Sequence, residues 1–245
     1  MPTRPPLSDR LRRLSGTTMA LVVAVALATA LWLGRLPARA DGAGQVLPAP
    51  AVDVPAGGGL QTAVLSGGCF WGVQGVFEHV RGVRKVLAGY AGGAAATAQY
   101  ETVSGGDTGH AESVQVQFDS TQISYGRILQ IFFSVALDPT EVNRQGPDEG
   151  TQYRSEVFAA DPAQHRAAAA YIAQLDQSRV FARPIATRVD PLNGFYPAEA
   201  YHQDYLERHP DQPYIAYNDI PKVESLKRLF PDSFQDKPVL ALPAP

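Results

Sequence analysis

Residues 65–72 read LSGGCFWG, and this stretch constrains the local fold more than any other in the chain. TAVLS (62–66) ahead of it reads as a short strand, and Phe70, Val73, Phe77 and Val80 after it recur at helical spacing. The glycine pair at the junction suits a tight strand-to-helix turn. Cys69 therefore stands where a helix begins, beside unpaired backbone N–H groups and the positive end of the helix dipole, which favour thiolate over thiol. It is the single cysteine of 245 residues, so no internal disulfide can form and stability must come from the core. A lone cysteine is more often a small buried hydrophobe than a reagent. Here the turn, the helix start and an exported setting favour a reactive thiol.

The exported setting comes from residues 1–40. Arg4, Arg10, Arg12 and Arg13 precede an apolar run from Met19 to Leu33, and Ala38 and Ala40 then offer a small-x-small cleavage site. The run is about 15 residues, short of the roughly 20 of a mature spanning helix, so we expect a signal removed after Ala40 and a periplasmic or secreted protein, membrane-anchored only if uncleaved. Beyond position 40 there are 15 Lys and Arg against 23 Asp and Glu, a net charge of about −8. Nucleic acid and anionic membranes reward clustered positive charge and are not expected partners.

Glycine-, alanine- and proline-rich residues 41–60 read as a flexible leader, 236–245 as a disordered tail, and 61–235 as one domain. Strands are expected at 83–90, 112–118, 153–159 and near 185–189. Helices are expected after an N-cap at Ser124, after Asp161-Pro162, and from Pro197 to Arg208. The alternation predicts an α/β (α+β) fold.

Two further stretches carry candidate chemistry. In ESVQVQFD (112–119), Val114, Val116 and Phe118 share one face, and Glu112 falls on it. A carboxyl there would be desolvated and hold its proton near neutral pH. From the stretch alone, a solvated glutamate at a fraying strand end is the better-supported reading. GPDEGTQYRS (146–155) is a glycine-bracketed loop in which Asp148 and Tyr153 could line a polar pocket, though turn chemistry also explains Pro147, Asp148 and Gly150.

Taken in order, GCFWG (68–72), GYAGG (89–93), Tyr100 to Gly106, TGHAE (108–112), DEGTQYRS (148–155) and YPAEAYHQDYL (196–206) resemble the type A methionine sulfoxide reductases. The resemblance implies a two-layer α-β plait, a mixed sheet with helices packed on it, acting on the S epimer of methionine sulfoxide, free or in oxidised proteins. It implies that Cys69 is the nucleophile and that Phe70 and Trp71 wall the pocket for the substrate's S-methyl group. Packing on the first turn of the helix is the plainer reason for those two aromatics. Glu112 matches the residue that protonates the departing oxygen, Tyr100 and Tyr153 match hydroxyls that bind it, and Asp148 matches a carboxylate ordering this network through water. His202 is read as structural.

Many members of that family carry further cysteines that resolve the sulfenic acid left on the nucleophile. This chain has none, so it resembles the single-cysteine subgroup and calls for an external reductant, a thioredoxin-like protein or a small thiol. No bound cofactor or metal is expected, since five histidines (79, 110, 165, 202 and 209) are scattered and one cysteine offers no ligand pair. A monomer is expected. The rival readings are a cysteine hydrolase or acyltransferase, and a non-catalytic module that holds methionine peptides.

Overall fold

The chain enters its sheet at β1 (Leu60–Gly67), turns into α1 (Phe70–Glu78) and returns as β2 (Val83–Ala91). A one-turn helix, α2 (Tyr100–Val103), leads to β3 (Ala111–Asp119) and α3 (Tyr125–Ile131). Two-residue strands β4 (Arg144–Gln145) and β5 (Asp148–Glu149) form a hairpin ahead of β6 (Ser155–Ala159). Then come α4 (Pro162–Ser178), β7 (Arg188–Pro191), β8 (Phe195–Pro197), a one-turn α5 (Tyr205–Arg208) and α6 (Ile220–Leu229). These elements belong to a computed structural model that describes residues 44–243. The expected export signal, residues 1–40, lies outside the described residues.

Six strands lie in the order β7-β6-β1-β3-β2-β8. All pairings are antiparallel except β6 with β7. That parallel pair needs a crossover, and the 17-residue α4 supplies it. Strand alternation sorts side chains to two faces. Ala63, Leu65, Val114, Val116, Phe118 and Val157 face a large core with Phe70, Val73 and Phe77 of α1, Ile128 of α3, Tyr171 of α4 and Leu226 of α6. Val64, Ala91, Ala111 and Phe158 form a small cluster of their own. The result is the expected mixed sheet with helices packed on it. Phe70, Phe77, Phe118 and Phe132 are fully buried, each contributing about 2 kcal/mol. An exposed ion pair such as Lys227–Asp236 contributes under about 1 kcal/mol, so the core decides stability.

The caps expected at Ser124 and Asp161 form. Ser124 accepts from the Arg127 N–H at 3.1 Å, and Asp161 accepts from Ala163 and Gln164 at 2.7 and 2.9 Å, with Pro162 in the first turn.

The single helix expected from Pro197 to Arg208 does not form. Its first residue belongs to β8, Ala200–His202 is a 3₁₀ turn, and Asp204 takes a left-handed conformation, φ 55°, before α5. Tertiary bonds outweigh the helical ones. Gln203 Nε2 donates to Ala88 and Ala198 carbonyls at 2.9 and 3.0 Å while its Oε1 accepts from the Ala88 N–H at 2.9 Å. The Asp204 carboxylate accepts from Ala241 and Leu242 at 2.7 and 3.1 Å. Those last bonds show that the expected tail is held against the domain as far as Leu242. The expected flexible leader is likewise seated: Leu47 is fully buried, its carbonyl accepts from Gln130 Nε2 at 2.6 Å, and Tyr171 Oη donates to Pro48 at 2.8 Å.

Candidate active site

β1 ends at Gly67, and Gly68, at φ 89°, makes a bend that an L side chain would strain. A Cβ there would also stand 2.5 Å from Gln145 Cβ. Cys69 follows in the N-cap position of α1, where its side chain makes no capping hydrogen bond. The sequence places the cysteine correctly and misreads its charge. Burial pushes the thiol well above its usual range, the Glu112 and Asp219 carboxylates push it further, and the Trp71 N–H and Lys222 lower it less. Cys69 rests as a neutral thiol because the helix terminus does not outweigh burial.

Glu112 comes from the start of β3, on the core face with Val114, and is 4% exposed. Its Oε2 accepts the Phe70 N–H at 3.0 Å, which ties the carboxyl to the residue after the thiol. Burial raises its pKa to about 8, against the lowering by that N–H and with help from Asp148 and Asp219. It is therefore mostly protonated at pH 7, and the solvated-glutamate reading does not hold.

Tyr100 and Tyr153 are half-buried, and the charges of Glu112 and Cys69 act on both hydroxyls. Tyr100 is positioned by Glu199, whose Oε1 accepts the Tyr100 N–H at 3.0 Å and whose Oε2 accepts from Tyr90 Oη at 2.9 Å. Tyr153 lies on a 3₁₀ turn ahead of β6 rather than within that strand. Arg154 fixes this turn. Its guanidinium donates to the Thr151, Gly109 and His110 carbonyls at 3.0, 3.0 and 3.1 Å and pairs with Glu156 at 2.5 Å. One side chain thus joins the loop leading to Glu112 to the turn carrying Tyr153.

Phe70 is buried beneath His202, ring centroids 5.1 Å apart. Trp71 stacks on Tyr205 at 3.9 Å, meets Tyr214 edge-on at 6.0 Å, and donates its indole N–H to His202 Nδ1 at 3.2 Å. That bond places the His202 proton on Nε2, and burial holds the ring neutral. His202 thus holds the Trp71 indole in place. Asp148, on β5, accepts a hydrogen bond from Tyr214 Oη.

Tyr214, Asp219 and Lys222 are site residues that the sequence reading misses, because it assigns no element beyond Arg208. The available signal is Ile220, Val223 and Leu226 at helical spacing with Pro221 in the first turn. Among the described residues, no three His, Cys, Asp or Glu side chains are grouped as a metal site requires. A separate cavity of about 720 Å³, lined by Asp107, Arg154, Glu156, Arg188 and Asp190, includes neither Cys69 nor Glu112.

Residues 61–233 match the family model of peptide methionine sulfoxide reductase. The peptide methionine sulfoxide reductase MsrA 2 of Mesorhizobium japonicum is 54% identical over 193 residues, covering 79% of this chain and 99% of its own. Its namesake in Synechocystis sp. is 49% identical over 195 residues, with 78% and 91% covered. Among solved structures, Mxr1 from Saccharomyces cerevisiae in reduced form is 33% identical at a TM-score of 0.58, covering 65% of this chain and 90% of its own. Methionine sulfoxide reductase A of Corynebacterium diphtheriae is 32% identical at a TM-score of 0.54, with 68% and 85% covered. A family match over most of the chain, relatives similar along nearly their whole length, and a shared fold agree: this chain belongs to the type A branch of the peptide methionine sulfoxide reductase family.

Proposed function

We propose that the protein reduces methionine S-sulfoxide, free or in oxidised proteins, by transferring the sulfoxide oxygen to Cys69. The observation that carries this reading is the Glu112 carboxyl bonded to the Phe70 N–H, a buried proton donor placed beside a buried thiol. Sulfoxide reduction needs both together: a sulfur nucleophile for the sulfoxide sulfur and an acid for its oxygen. Cys69 Sγ bonds to the sulfoxide sulfur, and Glu112 protonates the oxygen as its bond to that sulfur weakens. Tyr100 and Tyr153 hydrogen-bond the oxygen and stabilise its developing charge. The protonated oxygen then passes from the substrate sulfur to Sγ as the transient S–S bond breaks, and the thiol proton returns to Glu112, so the products are methionine and a Cys69 sulfenic acid. Phe70 and Trp71 form the apolar wall for the S-methyl group, and Asp148 acts through Tyr214.

An external thiol, from a thioredoxin-like protein or a small molecule, restores Cys69, since the chain holds no second cysteine. The protein acts as an exported monomer, a reading whose export is supported by residues 1–40.

Incubation with a methionine-S-sulfoxide peptide and dithiothreitol separates this function from its rivals. We expect repeated turnover to methionine that Cys69→Ser abolishes without unfolding the chain. A binding module would hold the peptide unchanged, a hydrolase would cleave an ester and leave the sulfoxide, and either result would overturn the proposal.

A further inference from the structure

Gly72 closes the GCFWG stretch on the first turn of α1, and what lies over it explains the missing side chain. A Cβ at Gly72 would stand 2.0 Å from Asp219 Oδ1 and 2.9 Å from Lys222 Nζ. The two groups are themselves joined, Nζ to Oδ1 at 3.0 Å, with the Asp219 side chain fully buried and Lys222 19% exposed. Asp219 Oδ2 is buried with no hydrogen-bond partner. Cβ vectors of a helix tilt toward its N-terminus, so a pair seated on Gly72 lies toward the end at which Cys69 caps the helix, three residues earlier.

The charged and titratable groups acting on the sulfur come from several elements. Glu112 comes from β3, Asp219 and Lys222 from the start of α6, and the hydroxyls of Tyr100, Tyr153 and Tyr214 from α2, the turn before β6 and the turn before α6. Asp148, on β5, reaches the sulfur indirectly, through Glu112 and Tyr214. In that set both carboxylates disfavour a thiolate and the ammonium favours it.

We propose that Lys222, pinned over the first turn of α1 by Asp219, is the counter-cation of the Cys69 thiolate. This rests on Cys69 being the nucleophile. Lys222 is given no part in the chemistry of the oxygen, so it is a positioning residue whose charge is felt at the sulfur. Asp219 has two opposed effects, since it holds the cation in place and adds a negative charge of its own. Removing charge at the two positions must therefore move the thiol in opposite directions, which loss of packing would not do.

The test is the pH dependence of Cys69 alkylation by iodoacetamide, followed by intact mass in the absence of sulfoxide. Lys222→Gln should move the midpoint up by about one pH unit, a shift ordinary for loss of a nearby opposite charge. Lys222→Arg keeps the charge and should stay near the parent. Asp219→Asn leaves an amide oxygen for Lys222 and should move the midpoint down. An unchanged midpoint in Lys222→Gln, or shifts of the same sign in Lys222→Gln and Asp219→Asn, would overturn the proposal. Should Asp219→Asn fail to fold, the Gln and Arg variants of Lys222 decide: a shift in Gln alone sustains the proposal, and equal shifts overturn it. Because no sulfoxide is present, the titration stands apart from the proposed activity, which would fail separately if the parent chain did not turn over the sulfoxide.

Discussion

At Glu112 a two-residue strand period becomes chemistry. Alternation alone puts this carboxyl on the face of Val114 and Val116, and burial on that face raises its pKa to about 8. The acid form is present below that value and lost as pH rises through it, while the Cys69 thiolate grows with pH. The pH profile of kcat/KM should therefore rise to a break near pH 8, where Glu112 begins to lose its proton, level off, and fall only above the raised pKa of the thiol. Glu112→Gln should lower kcat/KM by roughly 100-fold and remove the break near pH 8, so that the rate keeps rising with thiolate formation. Stopped assays from pH 5 to 10 measure both, and a break near pH 8 that survives the substitution would place the acid elsewhere. The position of Glu112 was legible in the sequence, whereas its partner was not, since the Phe70 N–H lies 42 residues away and is brought close by strand pairing. The same limit explains the misjudged thiol: local sequence shows a helix start, while the carboxylates of Glu112 and Asp219 arrive from distant segments.

Among the elements, the turn at 151–154 controls how well Tyr153 and Glu112 are held together. Arg154 is its fastener, and Glu156 beneath it is 1% exposed with a pKa raised by burial to about 7. Arg154→Met should cost about 3 kcal/mol, because it strips a buried carboxylate of its closest cation and leaves three carbonyls short of a donor. The sign of the pH dependence follows from the raised pKa. Protonated Glu156 does not need the guanidinium, so the loss should be smaller at pH 6 than at pH 8 in urea unfolding. Equal losses at both values would mean that the carbonyl contacts, not the ion pair, carry the effect. Elements with strong local instructions were legible: the glycine turn into α1, the Ser124 and Asp161 caps, and the alternation of β3. Residues 197–208 were not, because Gln203 and Asp204 exchange helical bonds for contacts with β2 and the chain's last residues. The helix at 220–229 was left unassigned, although Ile220, Val223 and Leu226 recur at helical spacing and a proline in the first turn starts a helix as readily as it ends one.

Over the whole molecule, a chain without disulfides must bury what it can, and it uses residues outside its sheet to do so. Leu47 sits fully buried in the main core, and the Leu47 and Gln45 N–H groups both bond to Ser134, at 3.2 Å. Leu47→Ala should therefore cost about 2–4 kcal/mol in denaturant unfolding, whereas Val46→Ala, at a half-exposed neighbour, should stay within about 0.5 kcal/mol. Equal effects at the two positions would mean that residues 44–54 do not bind the domain in solution. The single cysteine has a chemical consequence too, because nothing within the chain can condense with an oxidised Cys69. One reaction with methionine S-sulfoxide in the absence of any reductant, read by intact mass, a dimedone-type trap and methionine release, tests the central claim most directly. The account predicts one equivalent of methionine per chain and a protein one oxygen heavier, trapped at Cys69, with turnover resuming when a thiol is added. Methionine release without oxygen on Cys69, or an oxidised protein without the added mass, would contradict it.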